Sequence, residues 1–184
     1  SFTLYRKPTR VDGREIPVEL LYGGDYYASV DARAIGLSLD RDNGPEIVRT
    51  ARALSAAFAA SDPRDPIGGG ALDVYQALFY EYDPADPLLA KVVVVAPPGV
   101  IDRSPCGTGT SARLACLHAE GRLQPGQRWR QEGIGGSCFV GSFETAGPDA
   151  VRPTIRGSAH ITAEGRLRFD PRDAIAGWPC EVSR

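Results

Sequence analysis

The sequence predicts an α+β fold, and three patterns support this prediction. About nine or ten short segments have the composition of strands and are separated by turns rich in Gly, Pro and Asp. Only two segments keep the spacing of amphipathic helices. A run of four valines, residues 92–95, has the composition of a buried strand, and a Gly-rich segment leads from it into the second helix. Many short strands with two helices are typical of α+β domains.

Length and charge limit the classes of function. The 184 residues suffice for one large domain or two small ones, and 42% hydrophobic residues suffice for a buried core. The net charge of −2 comes without a basic stripe or a run of like charge, which argues against a nucleic-acid partner. The longest apolar run is far shorter than the roughly 20 residues that cross a bilayer, so we expect no membrane association.

The N-terminal part predicts three strands and then a helix. The pair Asp12-Gly13 predicts a hairpin turn between the first two strands. The pair Gly23-Gly24 interrupts the next strand pattern and marks a bulge or a close approach of backbones. Pro45, near the first helical position, predicts a helix start. The predicted elements are strands at 2–5, 16–21 and 26–30, a turn at 32–36, and a helix from 43–45 to about 60.

The rest of the chain predicts further strands on both sides of a central helix. A Pro- and Gly-rich loop at 62–70 precedes an aromatic strand at 74–82, and a turn separates that strand from the buried strand at 91–96. The central helix is predicted at 112–120, where Gly121 ends it. The later strands are predicted at 128–132, 137–143, 154–161 and 166–169, and residues 170–184 have the composition of a loop.

The cysteines argue against a metal site. Cys106, Cys116, Cys138 and Cys180 follow no metal-binding spacing, and the chain has two histidines. A chain of this size does not need disulfides, and we recognise no secretion signal at Ser1. We therefore expect no metal, a reducing compartment and a cytoplasmic location. Cys116 and Cys138 are predicted as core residues.

The segment from Asp102 to Arg113 holds the most informative chemistry. It places Cys106 on a Gly-rich loop between the valine strand and the central helix. A helix N-terminus carries unpaired N–H groups and partial positive charge, so a carboxylate can dock on the amides near Gly107 and Thr108. The same field lowers the pKa of a nearby thiol, which makes a cysteine reactive. Because Asp102 can take a positive group, the segment predicts an amino-acid site with a thiol near Cα.

Plainer interpretations of the same residues stay open. Gly-rich loops between a strand and a helix often serve geometry alone, and a buried cysteine is often inert. The Gly-Thr-Gly-Thr string at 107–110 is also compatible with a phosphate cradle, but it lacks the Lys of a P-loop and the GxGxxG spacing. The pair Gly23-Gly24 either lines a pocket or bends the sheet.

A family resemblance enters through three motifs in order along the chain. Residues 102–112, Asp-Arg-Ser-Pro-Cys-Gly-Thr-Gly-Thr-Ser-Ala, resemble the second catalytic-cysteine motif of the proline racemase family. Residues 22–28, Tyr-Gly-Gly-Asp-Tyr-Tyr-Ala, resemble the family's YGG-x-x-Y-A segment. Residues 155–161, Ile-Arg-Gly-Ser-Ala-His-Ile, are similar to its I-x-G-x-A-x-I strand. The family includes proline racemases, 4-hydroxyproline 2-epimerases and trans-3-hydroxyproline dehydratases.

The resemblance implies one lobe of a two-lobed, diaminopimelate epimerase-like fold, an antiparallel β half-barrel around a central helix. Residues 1–170 would form the second catalytic lobe, and residues 171–184 a C-terminal return segment that packs on the N-terminal lobe. Each lobe of such an enzyme supplies one cysteine at the start of its central helix. One thiolate removes the Cα proton and the opposite thiol delivers a proton to the other face, so no cofactor is needed.

The resemblance also assigns roles within the segment. By the motif match, Cys106 is the acid or base for one face, the backbone of Gly107 and Thr108 holds the carboxylate, and Asp102 holds the imino nitrogen. The implied activity is that of an amino-acid racemase or epimerase acting on proline or 4-hydroxyproline, with hydroxyproline preferred. The dehydratases carry Thr where this chain has Cys106, which favours a racemase or epimerase over a dehydratase.

One departure from the family limits these expectations. The family's first motif, Cys-Gly-His, is absent from this sequence. Family members are roughly twice as long, so the chain resembles the C-terminal half, and we expect a fragment. The second base would come from a complementing N-terminal lobe or from a homodimer. Alternatives are a truncated, non-catalytic half-enzyme that binds amino acids, and a diaminopimelate epimerase-like isomerase.

Overall fold

Strand residues that alternate between two apolar faces build a sheet with a helix on each side. The computed structural model describes residues 1–173 except 12, 66–68, 75, 148–149 and 169. In this part of the chain, nine strands form one sheet, and two α-helices pack on its opposite faces. The predicted α+β class is confirmed. No helix among these residues is long and apolar enough to cross a membrane.

The elements follow one another with short connections, apart from the two that contain helices. The helices are α1 (Gly44–Ala60) and α2 (Gly107–Ala119). The strands are β1 (Phe2–Val11), β2 (Arg14–Tyr22), β3 (Tyr26–Asp31), β4 (Gln76–Tyr82), β5 (Leu89–Ala96), β6 (Val100–Ile101), β7 (Trp129–Glu132), β8 (Cys138–Thr145) and β9 (Val151–Arg156).

The sheet is mixed, with the order β1-β2-β3-β4-β5-β7-β8-β9 and β6 paired to β5. β3 is parallel to β4, and β5 is parallel to β7. A parallel pair needs a long crossover connection, and α1 and α2 lie in these two connections. The half-barrel is therefore a mixed sheet and not a wholly antiparallel one.

The sheet curves around α2 and stays open. α2 contacts β1 and β2 at one end of the sheet and β8 and β9 at the other. The two ends approach each other at a bridge between Phe2 and Ala150. Ser1 and Val151 also exchange backbone hydrogen bonds of 2.9 Å. α2 consequently lies inside the concave face, and α1 covers the opposite face.

The valine run shows why β5 is central. Val93 and Val95 pack into the core under α1, whereas Val92 and Val94 pack into the core around α2. A strand that is buried on both faces has a continuous apolar sequence instead of an alternating one. The predicted buried strand is confirmed, and its C-terminal end leads into the segment that carries Cys106.

The start of the central helix differs from the prediction. α2 begins at Gly107 and not at residue 112, so the Gly-rich residues form its first turn. The hydroxyls of Thr110 and Ser111 do not cap the N-terminus of the helix. They donate to the carbonyls of Cys106 and Gly107, four residues earlier, at 2.7 and 3.1 Å. The cap is the Cys106 side chain itself, a residue type that cap preferences do not predict.

The C-terminal strands also differ from the prediction. β9 ends at Arg156, and residues 166–168 are not in a strand. Gly157 lies against the ring of Phe139, where an added Cβ would be 2.5 Å from a ring carbon. Cys138, predicted as a core residue, is exposed at the start of β8. Most of the expected return segment, residues 174–184, lies outside the described residues.

Candidate active site

Cys106 is held at the N-terminus of α2 by a relay of hydrogen bonds from the sheet. The Asp102 amide donates to the Val94 carbonyl at 2.9 Å, and the Asp102 carboxylate accepts from the Ser104 amide at 2.8 Å. The Ser104 hydroxyl then accepts from the Cys106 amide at 3.0 Å. Each link fixes the next, so the position of Cys106 is set by β5.

The backbone of Cys106 has a conformation that is rare for a residue with a side chain. Its φ is +66° and its ψ is 115°. Such strain persists where surrounding structure holds it, and it often marks a functional site. The Gln131 side chain donates to the Pro105 carbonyl at 2.8 Å, and Gly133 packs so tightly that an added Cβ would be 3.0 Å from Ser104 and Pro105 backbone atoms. β7 and the turn after it therefore support the strained residue.

The thiol faces the first turn of the helix. Cys106 Sγ accepts a hydrogen bond from the Gly109 amide at 3.4 Å, and the residue is 7% exposed. A Cβ at position 109 would be 3.1 Å from Sγ and 3.3 Å from a methyl carbon of Leu78. Glycine at this position therefore lets the sulfur lie directly over the helix N-terminus.

Two further backbone amides lie at the helix N-terminus beside the thiol. The helix hydrogen bonds begin with the Thr110 amide, which donates to the Cys106 carbonyl at 2.9 Å. The amides of Gly107 and Thr108 have no acceptor among the described residues, and both residues are exposed. An added Cβ at Gly107 would meet no atom within 4 Å. Free N–H groups at an open helix N-terminus attract a carboxylate.

Asp102 precedes Cys106 by four residues on the same segment. It lines a cavity of about 350 Å³ together with Gln76 and apolar residues of β5 and β6. Gln76 in turn donates a hydrogen bond to the Asp25 carboxylate. The structure thus places Cys106 beside the amides of Gly107 and Thr108, and it places Asp102 at a cavity whose lining does not include these three residues.

Tyr27 is a site residue that sequence reasoning missed. Its hydroxyl lies 3.5 Å from Cys106 Sγ and 2.5 Å from Thr108 Oγ1, and Thr108 Oγ1 is 3.8 Å from the same sulfur. The residue is fully buried on β3. Its position within the YGG-x-x-Y-A segment was a signal, but no pattern in the sequence connects that segment to residue 106.

Burial decides the acidity of the thiol. Desolvation raises the pKa of Cys106, and the charge of Asp102 raises it further. Hydrogen bonds from Tyr27, Gly109 and Thr108 act in the opposite direction but do not outweigh burial. The expectation that the helix start lowers this pKa is therefore wrong for the unliganded chain. A free thiol titrates near pH 8.5, so Cys106 is protonated at neutral pH.

The pair Gly23-Gly24 brings the β2–β3 turn against the start of α2. A Cβ at Gly23 would lie 2.1 Å from the Thr108 carbonyl oxygen and 2.5 Å from the Ala112 nitrogen. At Gly24, where φ is +113°, it would lie 2.9 Å from the Thr108 side chain. Of a bulge and a close approach of backbones, the contacts favour the close approach.

Replacing Gly23 with Ala should lower the free energy of unfolding by about 1–3 kcal/mol, as overpacking in a tight site does. The added carbon meets backbone atoms of α2, which yield only if the helix moves. Urea denaturation of the variant measures the loss. Gly70→Ala is the matched control, because an added Cβ there meets open space. Equal stability of the two variants would contradict the close approach.

A second polar cluster lies farther along α2 and is an ion pair. Ligand atoms of Glu19, Cys116 and Glu120 lie within 4.8 Å of one another, a spacing that suits a metal. The buried Arg113 guanidinium, however, lies 2.9 Å from the Glu19 carboxylate and 3.5 Å from Cys116 Sγ. It already supplies the positive charge that these groups need when removed from water. We therefore assign no metal to this cluster.

Comparisons with known proteins agree with the resemblance found in the motifs. The family model described as proline racemase matches residues 10–177. A 4-hydroxyproline 2-epimerase of Chromobacterium violaceum is 41% identical over 160 residues, which are 86% of this chain and 49% of the relative. A 4-hydroxyproline 2-epimerase of Acinetobacter baumannii is 36% identical over 181 residues, which are 97% of this chain and 56% of the relative.

Solved structures give the same result. A hydroxyproline epimerase from Agrobacterium vitis with bound trans-4-hydroxy-L-proline matches with a TM-score of 0.75 and 33% identity, over 96% of this chain and 52% of that one. A probable proline racemase from Agrobacterium radiobacter with bound carbonate matches with a TM-score of 0.74 and 31% identity, over 95% and 52%. The chain spans about half the length of the curated relatives it matches. With the family model matching most of its length, the chain belongs to the proline racemase family.

Proposed function

We propose that the chain is the second catalytic lobe, residues 1–170, of a cofactor-independent racemase or epimerase that acts on proline or 4-hydroxyproline. Cys106 exchanges a proton with one face of Cα. The observation that carries this proposal is the thiol at the N-terminus of α2, beside two amides with no acceptor among the described residues. The Chromobacterium and Acinetobacter relatives are 4-hydroxyproline 2-epimerases, which favours 4-hydroxyproline over proline as the substrate.

The same helix start suits binding of the substrate carboxylate. The amides of Gly107 and Thr108 would hold its oxygens, because a helix N-terminus favours negative charge. Asp102, four residues before Cys106, would hold the imino nitrogen by charge attraction. This orientation would place Cα between the two anchors, within reach of the Cys106 sulfur.

The acidity of the thiol indicates which proton transfer comes first for this lobe. Burial raises the pKa of Cys106, so the resting side chain carries its proton at neutral pH. It can donate that proton to the Cα carbanion that forms when a base on the opposite face removes the Cα hydrogen. In the reverse direction, the thiolate form of Cys106 removes the Cα hydrogen from its own face. General acid–base catalysis of this kind contributes about 10²–10⁴-fold to a rate. Inversion needs a second group on the opposite face, which a complementing N-terminal lobe would supply.

Two further expectations belong to this proposal. Residues 171–184 would return to pack on the N-terminal lobe. The described cysteines, Cys106, Cys116 and Cys138, are free thiols, which suits a reducing compartment such as the cytoplasm.

Polarimetry of trans-4-hydroxy-L-proline and L-proline tests the proposal. We expect this chain by itself to leave the optical rotation unchanged. Mixed with the N-terminal half of the Chromobacterium violaceum relative, it should invert hydroxyproline to its C2 epimer. Binding of the substrate without inversion in the mixture would instead support an amino-acid-binding module.

A further inference from the structure

The contact between β3 and α2 contains a hydroxyl that the proposed reaction leaves unassigned. Tyr27 is fully buried, and its oxygen approaches both Cys106 Sγ, at 3.5 Å, and Thr108 Oγ1, at 2.5 Å. The three atoms form a closed triangle, because Thr108 Oγ1 lies 3.8 Å from the same sulfur. Each of the three side chains carries one proton that it can donate.

We propose that Tyr27 is a positioning residue for Cys106: its hydroxyl anchors Thr108 and supplies a hydrogen bond that stabilises the sulfur as a thiolate. This inference rests on the proposed role of Cys106 as an acid and base. It adds a residue from a distant strand to a site that the motif confines to 102–112.

Loss of the thiol proton changes the hydrogen bonding within the triangle. While the sulfur carries its proton it is a weak acceptor. In that state the short hydrogen bond between the Tyr27 and Thr108 hydroxyls is the strongest of the three contacts. A thiolate accepts strongly, since hydrogen bonds to an ionised acceptor are about twice as strong as neutral ones. The negative sulfur would receive the Gly109 amide from the helix and a hydroxyl from the triangle, so it is held from two directions.

Tyr27 acts as a neutral donor and does not take the proton itself. Burial raises the pKa of its hydroxyl far above its ordinary value, and the hydrogen bond to Cys106 raises it further. A phenol whose pKa is raised above its ordinary value of about 10 keeps its proton at neutral pH. The proton that Cys106 loses or gains is therefore exchanged with the substrate or with water.

The pH dependence of Cys106 alkylation, measured on this chain without a complementing lobe, tests the proposal. Iodoacetamide reacts with the thiolate, and mass spectrometry of the Cys106 peptide separates it from the other cysteines. In Tyr27→Phe, we expect the apparent pKa of Cys106 to rise by about one unit, so that the rate below that pKa falls about tenfold. Tyr80→Phe is the matched control, because Tyr80 is also buried but packs under Arg113, and its profile should match that of the unmodified chain.

A second variant keeps the test independent of folding. Site-specific 3-fluorotyrosine at position 27 retains the ring and makes the hydroxyl a stronger donor, so the apparent pKa of Cys106 should fall. If Tyr27 had only a structural role, neither substitution would shift the pH profile of Cys106 alkylation. Profiles that superimpose for the unmodified chain, Tyr27→Phe and the fluorinated variant would overturn the proposal. The titration uses no substrate. Its result can therefore be interpreted even if the chain does not take part in epimerisation.

Discussion

Replacing Cys106 with Ser should reduce exchange of the substrate Cα hydrogen by about 10²–10⁴-fold, the contribution of one general acid or base. A serine hydroxyl at the same strained position keeps the shape of the site, but it is far less acidic than a thiol. Exchange is followed by the loss of the Cα proton signal of trans-4-hydroxy-L-proline in D2O. The effect is the largest we expect from any single substitution in this chain.

Cys138→Ser is the matched control for this experiment. Cys138 is a free thiol exposed at the start of β8, outside the segment that carries the site. We expect this variant to exchange the Cα hydrogen at the rate of the unmodified chain. Retained exchange in Cys106→Ser would show that another group performs the proton transfer.

Replacing Glu19 with Gln should lower the free energy of unfolding by about 3 kcal/mol, the cost of leaving a buried charge without its partner. Arg113 is completely buried, 2.9 Å from the Glu19 carboxylate, and its guanidinium stacks 3.7 Å from the Tyr80 ring centroid. Removing the negative charge leaves this cation inside the concave face of the sheet. Urea denaturation with a two-state fit measures the difference.

The exposed pair of Arg33 and Glu81 provides the control. These side chains are 49% and 34% exposed at a contact distance of 3.0 Å. Exposed ion pairs contribute about 0–1 kcal/mol, so Glu81→Gln should change stability by less than that. Equal losses for Glu19→Gln and Glu81→Gln would contradict the view that burial of Arg113 sets the cost.

The parts of the candidate site that are contiguous in the chain could be proposed from the sequence alone. Cys106, Gly107, Thr108 and Asp102 lie within one segment, and its position after a valine strand follows from local pattern. The strand itself was predictable because burial on both faces leaves a continuous apolar run. The helix α1 was predictable because Pro45 and the apolar spacing after it agree.

What the sequence did not predict depends on long-range packing. Tyr27 reaches the sulfur because β3 and α2 meet in space, 79 positions apart in the chain. The raised pKa of Cys106 is a balance between burial and hydrogen bonds, and burial cannot be read from the motif. The true start of α2 was missed because a cysteine with positive φ provides the cap.

The stereochemistry of deuterium exchange tests the central claim that this chain addresses one face of Cα. Trans-4-hydroxy-L-proline and its C2 epimer present their Cα hydrogens to opposite sides of the site. Each is incubated separately with this chain in D2O, and the Cα proton is followed by NMR. We expect exchange of one epimer and none of the other. Exchange of both at similar rates, or of neither, would contradict the central claim.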